Sequence, residues 1–185
     1  MHDHAYSELA VDGYKPRSIF EFDGAWDVAI EIHSMSKTYN MTGWRLGWAV
    51  ANPEIITALQ TVKTFVDPGP FLAVQAGAAA ALDSGDEWVP GNVEIFRRRR
   101  DALAASLRKG GFEVEIPTAT MYHWVPVPEG FASSEAFGRR ALEEQGVIVL
   151  PGATLGAGGE GFFRMAFTCP EDRLTEAGRR LGALL

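Results

Sequence analysis

A chain of 185 residues with 46% hydrophobic and 22% charged positions has the make-up of a globular domain of ordinary size. Its net charge of −7 excludes a general binder of nucleic acid or of an anionic membrane surface, since both are polyanions. One cysteine excludes an intramolecular disulfide and suits a reducing, cytoplasmic setting. No apolar run approaches the roughly 20 residues of a spanning helix, and no signal peptide precedes the first patterned residues.

Met1-His-Asp-His-Ala-Tyr6 falls into pattern at once, as the end of a buried strand inside a larger architecture would. His2 and His4 flank Asp3 and permit adventitious metal binding and nothing more. With His33 and His123 they have no helical zinc-site spacing, so no metal is expected. Turn signals follow at Asp12-Gly13 and Lys15-Pro16. Asp27–His33 is β-branched and mostly apolar, which predicts a strand of an α/β sheet, and Trp44–Ala51 predicts a second. Asn52 and Pro53 are a good helix cap and first position, and Ile55, Ile56, Leu59, Val62 and Phe65 continue with helical spacing.

Asp67-Pro-Gly-Pro70 breaks that helix. The alanine-rich stretch Phe71–Leu82 predicts a second, well-buried helix, stopped at Ser84-Gly85-Asp86. A long helix then runs from Glu87 to about Lys109, kinked or delayed by Pro90-Gly91 and halted by Gly110-Gly111. The basic run Arg97–Arg100 lies on it as a solvated or salt-bridged face. Phe112–Ile116 and Met121–Val127 predict two strands, and Ser133-Ser134 caps a helix that ends at Gly146. Val147–Leu150 and Phe162–Phe167 predict strands around the glycine-rich loop Pro151–Gly161, and Glu171–Leu185 a closing helix. Cys169, just before Pro170 at a strand end, is expected to be a packed small side chain. The order from residue 112 suggests an α+β subdomain joined to an α/β piece by the long helix.

The stretch around which the chain is organised is His33–Gly47. Lys37 stands among Ser34, Ser36, Thr38 and Thr42, with Arg45 between Gly43 and Gly47. Hydroxyls, a guanidinium and unhindered backbone are groups that hold a phosphate. A lysine beside such a site suggests a phosphorylated carbonyl cofactor held as a Schiff base.

Ser34-Met-Ser-Lys37 followed by Gly43-x-Arg45-x-Gly47 strongly resembles the lysine signature of class I/II aminotransferases, the fold-type-I pyridoxal-phosphate enzymes. Three further elements agree in order and separation: Asp3-His-Ala-Tyr6, Tyr122-His-Trp124, and Pro151-Gly152 through Gly158-Gly-Glu-Gly-Phe-Phe-Arg164. The resemblance implies an α/β fold, the C-terminal part of the large domain over 1–86 and a long connecting helix with a small α+β domain over 87–185. It implies pyridoxal 5'-phosphate as cofactor, an amino acid and a 2-oxo acid as substrates, and a homodimer. Within the family, Lys37–Arg45, the Asp67–Phe71 loop and the Pro151–Gly161 loop are similar to the diaminopimelate- and aspartate-type branch.

The implied roles are specific. Lys37 carries the cofactor and then moves the substrate proton. Asp3 pairs with the pyridinium nitrogen, Tyr6 bonds the ring 3′-oxygen, and Ser34, Ser36 and Arg45 anchor the phosphate. Arg164 grips the substrate carboxylate; without the family it would be a strand-edge charge paired to Glu160. The family's other cofactor contacts lie upstream of its Asp-x-x-Tyr, and here Asp3 is the third residue. Three readings follow: a truncated C-terminal half inactive or feeble alone, one part of a split enzyme completed by a separate N-terminal half, or a non-catalytic dimerisation or binding module.

Overall fold

The first strand, β1 (His2–Asp3), is followed by the single helical turn α1 (Ala25–Val28) and by β2 (Ile30–Ser34). β1 pairs in parallel with β2, His2 opposite Glu31 and Asp3 opposite Ile32. The expected strand at 27–33 therefore starts later, at Ile30, because Asp27 sits in the first turn of α1, where an acid is favoured. A second short turn, α2 (Met35–Thr38), leads through a 3₁₀ turn at Thr42–Trp44 into β3 (Gly47–Ala51). β3 lies antiparallel to β2, so the sheet is mixed, in the order β1-β2-β3.

This computed structural model describes residues 1–84 and 87–185, which divide into two units, Met1–Val93 and Glu94–Leu185. In the first unit α3 (Pro53–Lys63) starts where Asn52 and Pro53 predict: the Asn52 side chain accepts from the Ile55 amide at 3.0 Å. The core is small, built on Met35, Met41 and Ala78 with Tyr39, Leu46 and Ala81 against them.

Two expectations fail over the next stretch. The long helix α4 (Leu72–Lys109) is one element rather than two and carries Pro90 inside it; Gly85 and Asp86 of the expected stop lie outside the described residues. One lost helical bond at a proline leaves the turns on either side intact. Nor is its first part well buried. Phe71 and Leu72 are exposed, as are Leu59, Val62, Phe65 and Val66 before them, and Phe65 is 88% exposed. Small side chains permit close packing, and Ala78 takes it up against Met35 and Met41, but the rest of this stretch is not fully buried.

The second unit is built on an antiparallel sheet of β4 (Tyr122–Pro126), β5 (Leu150–Pro151) and β6 (Phe162–Ala166), in the order β4-β6-β5. Helix α5 (Ser134–Gln145) precedes β5, and α6 (Glu171–Gly182) follows β6. The strands alternate with period two. His123, Val125, Phe163 and Met165 point into a core shared with Leu103, Leu107, Phe112, Phe137, Phe167 and Leu181. Phe137 and Phe163 meet at 4.6 Å between ring centroids.

Residues 112–116, expected as a strand, pair with no strand among the described residues. Phe112 and Val114 are buried all the same, and the Val114 carbonyl accepts from Arg108. Burial of alternate side chains makes the pattern; only a partner makes a strand. In the glycine loop, Gly152 and Gly159 lie back to back, and a Cβ on Gly152 would stand 2.0 Å from the Gly159 oxygen. The basic run divides: Arg97 pairs with Glu94 and Asp101, and Arg98 with Glu171, whereas Arg100 is buried and donates to the Pro117 carbonyl. Cys169 is exposed, contrary to the packed position expected, because β6 ends at Ala166 and the thiol falls in the connection to α6.

Candidate active site

In the first unit the lysine segment is built from a strand end and a helical start. β2 ends at Ser34, whose side chain accepts from the Ser36 amide at 3.1 Å and so caps α2. That cap turns the chain and presents Lys37 in the last turn of α2, half-buried. The turn is held from behind. Thr42 donates to the Ser36 carbonyl at 2.9 Å, and buried Asn92 on α4 donates to the Thr38 carbonyl at 3.1 Å. Asn40 donates in turn to Asn92.

Lys37 Nζ lies 5.8 Å from the centroid of the Tyr6 ring, so the two residues read from distant motifs meet. Asp3 is exposed on β1, in register with Ile32. Arg45 is exposed, in the left-handed region at φ 55°, and its guanidinium donates to the Thr42 carbonyl at 2.9 Å. A non-glycine residue held there costs of order 1 kcal/mol or more and marks a position worth a functional reading. Gly47, opposite Ser34 in the ladder, must lack a side chain: a Cβ would stand 2.5 Å from the His33 carbonyl oxygen.

The donor set of this unit fits a phosphorylated pyridine aldehyde. An amine, two serine hydroxyls and a guanidinium come from one short segment, with a carboxylate and a phenol from the neighbouring strand and its following turn.

Arg164 belongs to the second unit, where it lies on the outward face of β6. Its guanidinium carbon stands 4.2 Å over the Tyr122 ring, while Trp124 and Phe162 stack beside it at 5.5 Å. These residues line a cavity of about 640 Å³ with Glu113, Glu115 and Thr120. Glu160 is not its partner. That carboxylate accepts from the Ser134 amide at 2.7 Å, the Ser134 hydroxyl at 2.9 Å and the Gly161 amide, and these bonds hold its pKa below the usual range. Arg164 therefore offers its fork to a cavity walled by aromatic rings. His123, of the Tyr-His-Trp element, is instead a core residue: fully buried, bonded to the Arg100 carbonyl, and held neutral by that burial.

Sequence reasoning missed the residue with the densest polar surroundings in the unit. Glu31, 3% exposed at the centre of β2, accepts from His2 at 2.8 Å, Ser18 at 2.9 Å and the Ile19 amide at 2.8 Å through one oxygen, and from His33 at 2.8 Å through the other. Burial pushes its pKa up, but the four donors outweigh burial and bring it to about 2. The available signal was a lone carboxylate in an otherwise apolar strand, flanked by histidines whose register was not known.

Comparison with known proteins shows the family and the fold. The family model for aminotransferase class I and II matches residues 1–181. Over 180 residues the chain is 48% identical to LL-diaminopimelate aminotransferase 2 of Trichormus variabilis, covering 97% of this chain and 46% of that protein. An aminotransferase from Staphylococcus aureus superposes with a TM-score of 0.91 at 36% identity, over 99% of this chain and 48% of that one. N-succinyldiaminopimelate aminotransferase from Mycobacterium tuberculosis does so with a TM-score of 0.93 at 32% identity, over 99% and 49%. The chain thus spans about half the length of the relatives it matches. With an α/β fold shared at this level and a lysine segment of this construction, it belongs to the class I and II aminotransferases.

Proposed function

We propose that this chain carries the lysine-bearing part of a pyridoxal-phosphate-dependent transamination site, acting between an amino acid and a 2-oxo acid. The observation that supports this most directly is the meeting of Lys37 with Tyr6 at the capped turn that also bears Ser34 and Ser36. Pyridoxal phosphate, when bound, supplies the carbonyl that takes the substrate amine and a ring that spreads negative charge from the substrate α-carbon.

The chain's residues do the rest. Ser34, Ser36 and Arg45 hold the phosphate. The Asp3 carboxylate keeps a proton on the ring nitrogen, and the Tyr6 hydroxyl bonds the ring oxygen. Lys37 carries the cofactor at rest and moves the proton at the substrate α-carbon. Arg164 takes the substrate carboxylate, a role its surroundings support: a fork without a carboxylate partner among the described residues, set between aromatic walls. Residues 1–86 form the remnant of the cofactor-binding large domain, and 87–185 the connecting helix and small domain. The substrate falls within the diaminopimelate branch, after the names of the relatives. A cytoplasmic setting completes the reading; among the described residues no helix is long and apolar enough to cross a membrane.

The chain acts as part of a larger assembly, a homodimer or a pairing with a separate N-terminal half. Its half-length match and the exposed apolar surface of Val62, Phe65, Val66, Phe71 and Leu72 favour this. The test is spectroscopic. Pyridoxal phosphate added to the chain should give the visible band of the lysine-bound cofactor, lost in Lys37→Ala. No band at saturating cofactor overturns the reading. Transamination of glutamate with a 2-oxo acid, assayed next, separates an enzyme from a binding module.

A further inference from the structure

Strand parity divides the residues of the mixed sheet between two faces. Asp3 and Ile32 are paired and share one face. His2 and Glu31, paired one step earlier, share the other, and His4, His33 and Trp48 follow them there. On that face His2 and His4 lie with ring centroids 4.6 Å apart, His4 meets His33 edge-on at 5.4 Å, and His33 stacks on Trp48 at 5.0 Å. One ligand atom each from His2, His4 and Glu31 lies within 4.8 Å of the others.

We propose that His2, His4 and Glu31 form a binding site for a divalent transition-metal ion of the zinc type, on the face of β1 opposite Asp3. Two imidazoles and one carboxylate are a donor set that suits zinc, with a fourth position left to water. Tetrahedral bonds of roughly 2.0–2.1 Å set donors about 3.4 Å apart. Drawing in from 4.8 Å asks for about an ångström of movement at side-chain tips, which rotation about χ1 and χ2 supplies.

Two observations carry the assignment beyond proximity. The His4 ring makes no hydrogen bond among the described residues, so its nitrogens can be used without breaking one. The carboxylate is already oriented by outer partners, Ser18, the Ile19 amide and His33, as ligating carboxylates are. The site opens on a cavity of about 640 Å³ lined by His4, Ser18, Glu31, His33 and Trp48, which is the entry path. An ion there ties β1, paired over only two residues, to β2 and to the Ser18 turn, and so steadies the strand that bears Asp3. This inference does not rest on the transamination reading: neither His2, His4 nor Glu31 has a part in it.

The experiment is calorimetric titration of the cofactor-free chain with zinc, in a Cys169→Ser background that removes the exposed thiol. One ion per chain is expected, with a raised thermal midpoint, and cobalt in place of zinc should show visible d–d bands of a low-coordinate site. His4→Gln, which gives up no hydrogen bond, should lose more than the roughly 10–100-fold that removing an outer partner costs, and Ser18→Ala should fall within that range. His2→Asn should behave as His4→Gln, with unchanged far-ultraviolet dichroism in all three. Absence of stoichiometric binding, or binding that persists in both histidine variants as it would for an ion held by the Met1 amine, overturns the proposal. Either result leaves the cofactor band of the Lys37 test unaffected.

Discussion

Replacing Glu31 by glutamine tests the electrostatics of the first unit most sharply. The carboxylate is nearly out of water, and burial alone would raise its pKa, yet four donors bring it from 4.5 to about 2. A folded-state pKa below the unfolded value contributes stability at pH above about 4.5, lost as pH falls toward 2. At neutral pH that difference amounts to about 3 kcal/mol. Glutamine keeps the shape and one acceptor oxygen, which can still serve His2, Ser18 and Ile19, but it loses the charge and turns an amide toward His33. Glu31→Gln should therefore cost about 2–3 kcal/mol at pH 7. Urea unfolding of both chains across pH 2–7 is the assay. The gap between them should be full at pH 6–7, shrink below pH 4.5 and nearly close by pH 2. A gap below about 1 kcal/mol at pH 7, or one of constant size over the whole range, would refute the assignment of Glu31 as an ionised hub.

Other positions give independent checks. Gly47→Ala forces a methyl against the His33 carbonyl and should destabilise the unit by about 1–3 kcal/mol, seen as a lower urea midpoint; a neutral effect would contradict the close β2–β3 contact. In the second unit, Ser133→Ala removes the oxygen that caps α5 through the Ala136 amide, for a loss of about 1 kcal/mol by the same measurement. Phe137→Ala empties the centre of the aromatic core and should cost about 3–5 kcal/mol, with collapse of the near-ultraviolet signal. Phe65→Asp, on a side chain 88% exposed, should leave folding within about 0.5 kcal/mol and lower self-association in sedimentation velocity; unchanged association would remove that surface from the interface.

Local chemistry by itself determined much of this protein. Asn52-Pro53 and Ser133-Ser134 start helices because a cap acts on amides two or three residues away, and both start as read. The lysine segment is likewise legible, since its hydroxyls, glycines and Arg45 are neighbours in sequence and their chemistry is nearly independent of what lies beyond. The tertiary structure decided everything that needs a distant partner. Among the described residues, 112–116 have a strand's alternation and no strand to pair with, and the alanine-rich start of α4 buries Ala78 against Met35 and Met41 but leaves Leu72 and Leu82 exposed. Glu31 shows the difference most plainly. As a letter it is one acid in an apolar run; in the sheet, register sets it opposite His2 and beside His33, under the turn at Ser18. Periodicity tells which residues share a face of one strand, but only pairing tells which strands share that face, and the charge and metal chemistry of this unit depend on the second.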